Sequence, residues 1–205
     1  MSITQTLSSQ GRKPTGALGW IIAWTMPVMF RSLYAKVARL LNLQPGDDVL
    51  DVACGSGAFL KRHASQVNRI TGLDHSEIQI SLAKRCNRDR VAAGTAEFVQ
   101  GDATVLPWPD NRFSAVTSNC VSCFAEPQRS LKEMQRVLRP GGRAVLVMGG
   151  TDKNRENRPR EADKFGMPIW TEDEVRQMMA DAGFSQISAS YDKKAKMWFA
   201  EGRKQ

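Results

Sequence analysis

The run Val49-Leu50-Asp51-Val52-Ala53-Cys54-Gly55-Ser56-Gly57 constrains this chain more than any other stretch. Apolar residues with one carboxylate among them lead into Gly-x-Gly, and an amphipathic segment over Ala58 to Gln66 follows, so the run reads as buried strand, tight turn and helix start. Gly55 and Gly57 lack Cβ, take turn conformations closed to other residues, and let peptide N–H groups approach a ligand. The helix opening behind them adds unpaired N–H groups and a positive dipole end. By itself the pattern is also met by a glycine turn that binds nothing. The rest of the chain has to decide.

The next segments repeat the theme. Arg69–Asp74 reads as a second strand ending in an acidic residue, and the interval from Asp51 to Asp74 is the one at which nucleotide-binding α/β units place a carboxylate for ribose hydroxyls. Ser76 is the expected N-cap of a helix running to about Arg90. Ala96–Ala103 reads as a third strand with Asp102 near its end, Leu106–Asp110 as a turn-rich loop, and Phe113–Ser118 as a fourth strand followed by Asn119. Leu131–Leu138 has helical spacing, Arg139-Pro140-Gly141-Gly142 reads as a turn, and Arg143–Met148 as a fifth strand. Strands alternating with helices imply parallel pairing with right-handed crossovers, hence an open α/β sheet with its ligand at the carboxyl ends. Asp74, Asp102 and Asn119 fall at such ends, and Asp51 lies within its strand. Thr171 with Glu174 forms a capping-box pattern for a helix to Ala182, stopped by Gly183. Gln186–Tyr191 and Lys196–Ala200 read as an antiparallel pair finishing the sheet.

These motifs together resemble the class I methyltransferases that use S-adenosylmethionine, within them the small-molecule group of the methyltransferase type 11 kind. Val49–Gly57, Gly72-Leu73-Asp74, Gly101-Asp102-Ala103 with the following Leu-Pro-Trp-Pro, and Arg136–Gly142 carry the likeness, which covers about Pro45 to Gly150. The resemblance implies a Rossmann-like α/β fold, its open sheet mostly parallel with an antiparallel last strand and helices on both faces. It implies S-adenosylmethionine as cofactor, with Gly55 and Gly57 approaching the methionine part, Asp51 orienting the glycine loop, Asp74 holding the ribose hydroxyls, and Ala53 and His75 in the same cofactor-binding set. Asp102 and Ala103 would face the adenine, and Asn119 would lie beside the sulfonium. Asn119 and Cys120 stand nearest the expected acceptor, and no residue is assigned as a general base. His63, on the first helix, reads as a surface or packing residue.

At 205 residues and 41% hydrophobic, the chain suits one ordinary domain, read as an N-terminal arm and cap helix over 1–44 and a methyltransferase domain over 45–205. Met1–Thr15 is polar, whereas Trp20–Phe30 carries two tryptophans, two methionines and two isoleucines. That bulk suggests a lid over an apolar acceptor or a peripheral membrane contact, ahead of an amphipathic helix over Arg31–Leu43. Thr151–Trp170 reads as a surface excursion or flap. The net charge of +8 is scattered, and the chain lacks the Pro-Pro-aromatic loop and the Pro-Cys pair that nucleic acid methylation would need, so a small-molecule acceptor ranks above nucleic acid. Four cysteines are too few for a disulfide framework, and with no spanning segment a cytoplasmic setting is expected. Cys120-x-x-Cys123 reads as two packing residues, or as arsenic-binding thiolates by likeness to arsenite methyltransferases; a structural zinc would want more ligands. A lipid methyltransferase and a non-catalytic cofactor-binding protein are the other readings.

Overall fold

The computed structural model describes residues 30–151 and 167–205. The arm before Phe30, with the lid or membrane reading, and most of the expected flap lie outside the described residues. The elements in chain order are α1 (Arg31–Leu41), β1 (Asp48–Val52), α2 (Ala58–His63), β2 (Arg69–Asp74), α3 (Glu77–Cys86), α4 (Arg88–Ala92), β3 (Ala96–Gln100), β4 (Phe113–Ser118), α5 (Pro127–Val137), β5 (Leu138–Gly149), α6 (Glu172–Asp181), β6 (Ser185–Asp192) and β7 (Met197–Arg203). A single 3-10 turn, Val121–Cys123, follows β4.

The seven strands form one sheet in the order β3-β2-β1-β4-β5-β7-β6. β7 pairs antiparallel with both β5 and β6 and lies between them, while the pairs β1·β2, β2·β3, β1·β4 and β4·β5 are parallel. Neighbouring strand residues divide between two cores, as a two-residue side-chain period requires. Val49, Ala115, Val145 and Val147 join Leu33, Val37 and Leu41 of α1 and Phe59 of α2; Leu50, Val116, Leu146 and Met148 join Leu131 and Met134 of α5 and Val175 and Met179 of α6. The sheet is therefore sandwiched between two helical layers. The chain leaves β1 toward β2 and β3, then returns to β4 on the other side, so strand order reverses between β1 and β4 and opens a crevice at their carboxyl ends.

Several element boundaries differ from the sequence reading, each for a local reason. α1 stops at Leu41 because Asn42 turns left-handed (φ 45°) and donates its N–H to Ala38 O. The helix expected through Arg90 breaks at Asn87, whose Nδ2 donates to Ala83 O at 2.9 Å and Gly57 O at 3.3 Å. Ser76 makes no side-chain cap; its N–H instead donates to Asp74 Oδ1 at 2.9 Å. β3 ends at Gln100, where the Gly101 N–H turns to Asp74 O, and α5 starts four residues early, with Pro127 in its first turn. Arg139–Gly142 is an irregular part of β5: Gly141 at φ +73° donates to Lys204 O, and Gly142 O accepts from the Lys204 N–H. The capping box is present, with Thr171 Oγ1 accepting from the Glu174 N–H and Glu174 Oε2 accepting from the Thr171 N–H.

Candidate active site

Asp51 sits near the end of β1, opposite Gly72 of β2 and Thr117 of β4, and is buried. Burial pushes its carboxyl well above the ordinary range, the charge of Asp74 adds to this, and a hydrogen bond from the Asn119 amide works the other way. Asp51 Oδ1, Asn119 Oδ1 and Gln79 Oε1 are buried acceptors with no hydrogen-bond partner among the described residues. Buried oxygens left without a partner call for a donor, preferably a positive one.

Asp74, at the end of β2, shapes the glycine turn. Its Oδ2 accepts the Gly55 N–H at 2.9 Å and its Oδ1 accepts the Ser76 N–H at 2.9 Å. Burial raises Asp74, while those two N–H bonds and nearby His75 pull it back. Each oxygen keeps a second lone pair for another donor. Ala53 takes a left-handed conformation (φ 62°), as does Gly55 (φ 53°), which folds the chain back over the strand ends. A Cβ added at Gly55 would have open room, lying 3.8 Å from Gln79, so its N–H rather than its missing side chain serves the turn. At Gly57 (φ +69°) a Cβ would lie 2.8 Å from Asn87 Nδ2 and 3.1 Å from Phe98. The absent side chain of Gly57 thus lets α2 sit against α3 and β3, a packing role beside the approach expected of it.

Ala53, Asp74, His75, Asp102 and Ala103 line a single cleft of about 400 Å³, with Leu73 and Phe124 as apolar walls. Asp102 is exposed; the Thr104 N–H donates to its Oδ1 at 2.8 Å and holds it below the usual carboxylate range. Asn119 and Cys120 line a second cavity of about 530 Å³ whose surface is mainly apolar, including Val147, Pro168, Ile169 and Met197. Asn119, on the second cavity, hydrogen-bonds buried Asp51 of β1. Cys120 and Cys123 are joined as a disulfide across the 3-10 turn, Cys120 on the second cavity and Cys123 on the first. The sequence reading took them as packing residues or arsenic ligands; an i, i+3 turn brings their Cα atoms to 5.5 Å, within bridging range. Cys54 and Cys86 are free.

Several cleft residues carry no sequence signal. Phe124 follows an irregular turn, and Lys194, Lys196 and Met197 reach the second cavity from the far end of the sheet. His63 packs on Phe59 within α2, ring centroids 5.7 Å apart.

Residues 50–146 match the family model described as a methyltransferase domain. This is a class I methyltransferase domain. The cycloartenol-C-24-methyltransferase 1 of Oryza sativa subsp. japonica is 34% identical over 162 residues, covering 74% of this chain and 47% of that protein. The 2-phytyl-1,4-naphtoquinone methyltransferase of Synechococcus elongatus is 31% identical over 155 residues, covering 73% of this chain and 65% of that protein. A crystal structure of a Bacillus halodurans protein named as a methyltransferase superposes with TM-score 0.67 at 27% identity, over 78% of this chain and 73% of that one. The chain spans about half the length of the sterol relative.

The cofactor of this class is S-adenosylmethionine, and the cleft together with the buried groups around the glycine turn fits it on three counts. The unpartnered oxygens of Asp51, Asn119 and Gln79 suit its ammonium group. The spare acceptor capacity of Asp74 suits the ribose hydroxyls, and Leu73, Ala103 and Phe124 offer apolar faces beside Asp102 for a planar base.

Proposed function

We propose that this chain transfers a methyl group from S-adenosylmethionine to a small, hydrophobic or aromatic acceptor. The observation carrying this is the pairing of two spaces beside the turn after β4: a cleft edged by Asp74 and Asp102 and lined by Cys123, and a mainly apolar cavity lined by Asn119 and by Cys120, the disulfide partner of Cys123. The sulfonium supplies an already activated methyl group, so the protein's part is to align the acceptor, keep the site dry and hold the charges around the cofactor. Asp51, Gly55, Asp74, His75, Asp102, Ala103 and Asn119 would do the holding. The apolar walls would exclude water from the acceptor side. Relatives named for a sterol and for a naphthoquinone support acceptors of that kind.

The test is transfer of label from methyl-labelled cofactor, first to cycloartenol and to a demethylated naphthoquinol, then to a cell extract separated into organic, aqueous and macromolecular fractions. Label in the organic fraction is the expected result. Label confined to macromolecules would refute the acceptor class.

A further inference from the structure

The disulfide reaches both spaces of the site: Cys120 lines the apolar cavity, Cys123 lines the carboxylate-edged cleft, and both are half-buried. Between them the chain is anchored. Val121 is fully buried in the same core as Leu131 and Leu146, and Ser122 Oγ accepts the Gly149 N–H at 2.7 Å. Cys123 donates its N–H to Cys120 O at 3.0 Å, and Phe124 donates its own to Val121 O at 3.1 Å. These contacts hold the backbone of the turn without the bridge, and a bridge across so short a loop has only a small entropic part in stability. Resting on the assignment of the two spaces to cofactor and acceptor, we propose that Cys120 and Cys123 are a redox-active pair that gates both: a dithiol reductant opens the bridge, and the freed thiols enter the two spaces and weaken binding there.

The chemistry is thiol–disulfide exchange. A thiolate of the reductant attacks one sulfur, forms a mixed disulfide and expels the other cysteine as its thiolate. The reductant's second thiol then attacks its own sulfur in that mixed disulfide, closes the reductant into a disulfide and releases the second cysteine. Two electrons pass to the pair, and the reductant's two protons end on the two cysteine thiols. Both sulfurs are reachable from water through the spaces they line, as exchange requires. The direction of the effect follows from the anchored backbone. Two sulfurs that are no longer bonded must stand at van der Waals separation. With Val121 and Ser122 held, the room for this comes from the side chains, Cys120 turning toward the cavity and Cys123 toward the cleft. Cys54, which is buried, and Cys86, at the end of α3, line neither space and take no part.

The experiment equilibrates the full chain in mixtures of reduced and oxidised dithiothreitol. Binding of S-adenosylhomocysteine is read by calorimetry, binding of the neutral apolar probe phenylnaphthylamine by fluorescence, and thiols are counted by alkylation at each mixture. Reduction should weaken both ligands by about threefold to tenfold, along a two-electron curve that coincides with the appearance of two thiols, while circular dichroism stays that of a folded protein. Cys86→Ser should keep this response. Cys120→Ser combined with Cys123→Ser should bind each ligand equally in every mixture. Equal or tighter binding by the reduced parent would overturn the proposal, as would a response that survives in the double variant or a bridge that opens only when the chain unfolds. Because no methyl transfer is read, failure of the proposed reaction would appear separately, in the labelled-cofactor assay.

Discussion

Replacing Asp74 by asparagine probes the cofactor cleft with little change of shape. The carboxylate accepts two backbone N–H groups, from Gly55 and from Ser76, one on each oxygen and both at 2.9 Å. An amide offers one acceptor oxygen. Whichever way it turns, its NH2 faces a backbone N–H and one bond becomes a donor–donor contact. Losing a charge-assisted hydrogen bond costs ~1.5–3 kcal/mol, and a neutral amide holds the remaining partner and any ribose hydroxyl more weakly. Part of this is offset, because the substitution also removes a charge that burial disfavours. A net loss near ~3 kcal/mol in cofactor binding corresponds to about a hundredfold rise in Kd. Calorimetric titration with S-adenosylhomocysteine should show that rise at pH 7.5 while circular dichroism reports a folded protein. A Kd within about threefold of the parent would refute the reasoning, since neither the glycine turn nor the ribose would then depend on the charge.

The raised carboxyl of Asp51 predicts that a cofactor ammonium placed beside it drives ionisation, so binding should release protons; titration in buffers of different ionisation heat should show this, and Asp51→Asn should abolish it. The same upward shift means that stability is fully present below the ordinary carboxyl range and is lost as pH rises through the raised folded value, so Asp51→Asn should gain in melting temperature over the parent as pH increases above about 4. Arg143 bonds Leu41 O at 2.5 Å, Asn42 O at 2.9 Å and buried Asp47, tying α1 and β1 to β5, so Arg143→Ala should cost ~3 kcal/mol in urea unfolding. Burial works to raise Asp47, but hydrogen bonds from Arg143, the Gln44 N–H and Ser114 hold it low; its contribution is therefore present at neutral pH and lost as pH falls through its depressed folded value, where the Arg143→Ala deficit should shrink. Gly57→Ala meets both a left-handed backbone and the Asn87 side chain, and should destabilise by at least ~2 kcal/mol; a neutral result would mean that the turn and α2 can shift freely. A thiol count on denatured, unreduced protein should find two thiols, Cys54 and Cys86, and reduction should lower stability by no more than ~2 kcal/mol because the bridged loop is so short.

The sequence by itself determined the alternation of elements, because apolar periodicity and punctuation by Gly and Pro are local properties. β2 and β4 have the bounds the sequence reading gave them, Arg69–Asp74 and Phe113–Ser118. The acidic strand ends were equally legible, since a carboxylate at the end of an apolar run has few structural excuses; Asp74 and Asp102 line one cleft. Tertiary structure decided what depends on partners distant in the chain. Asn87 broke a continuous helical pattern by reaching back to Gly57, and Arg139–Gly142, which reads as a turn, became strand because Lys204 at the far end of the chain supplies its pairing. The insertion of β7 between β5 and β6 brought Lys194 and Lys196 to the same cavity as Asn119, some seventy-five positions earlier in the chain. A lysine in a polar turn carries no local mark of what it faces, because its periodicity is that of any solvated loop; only the order of strands across the sheet places it beside a cavity.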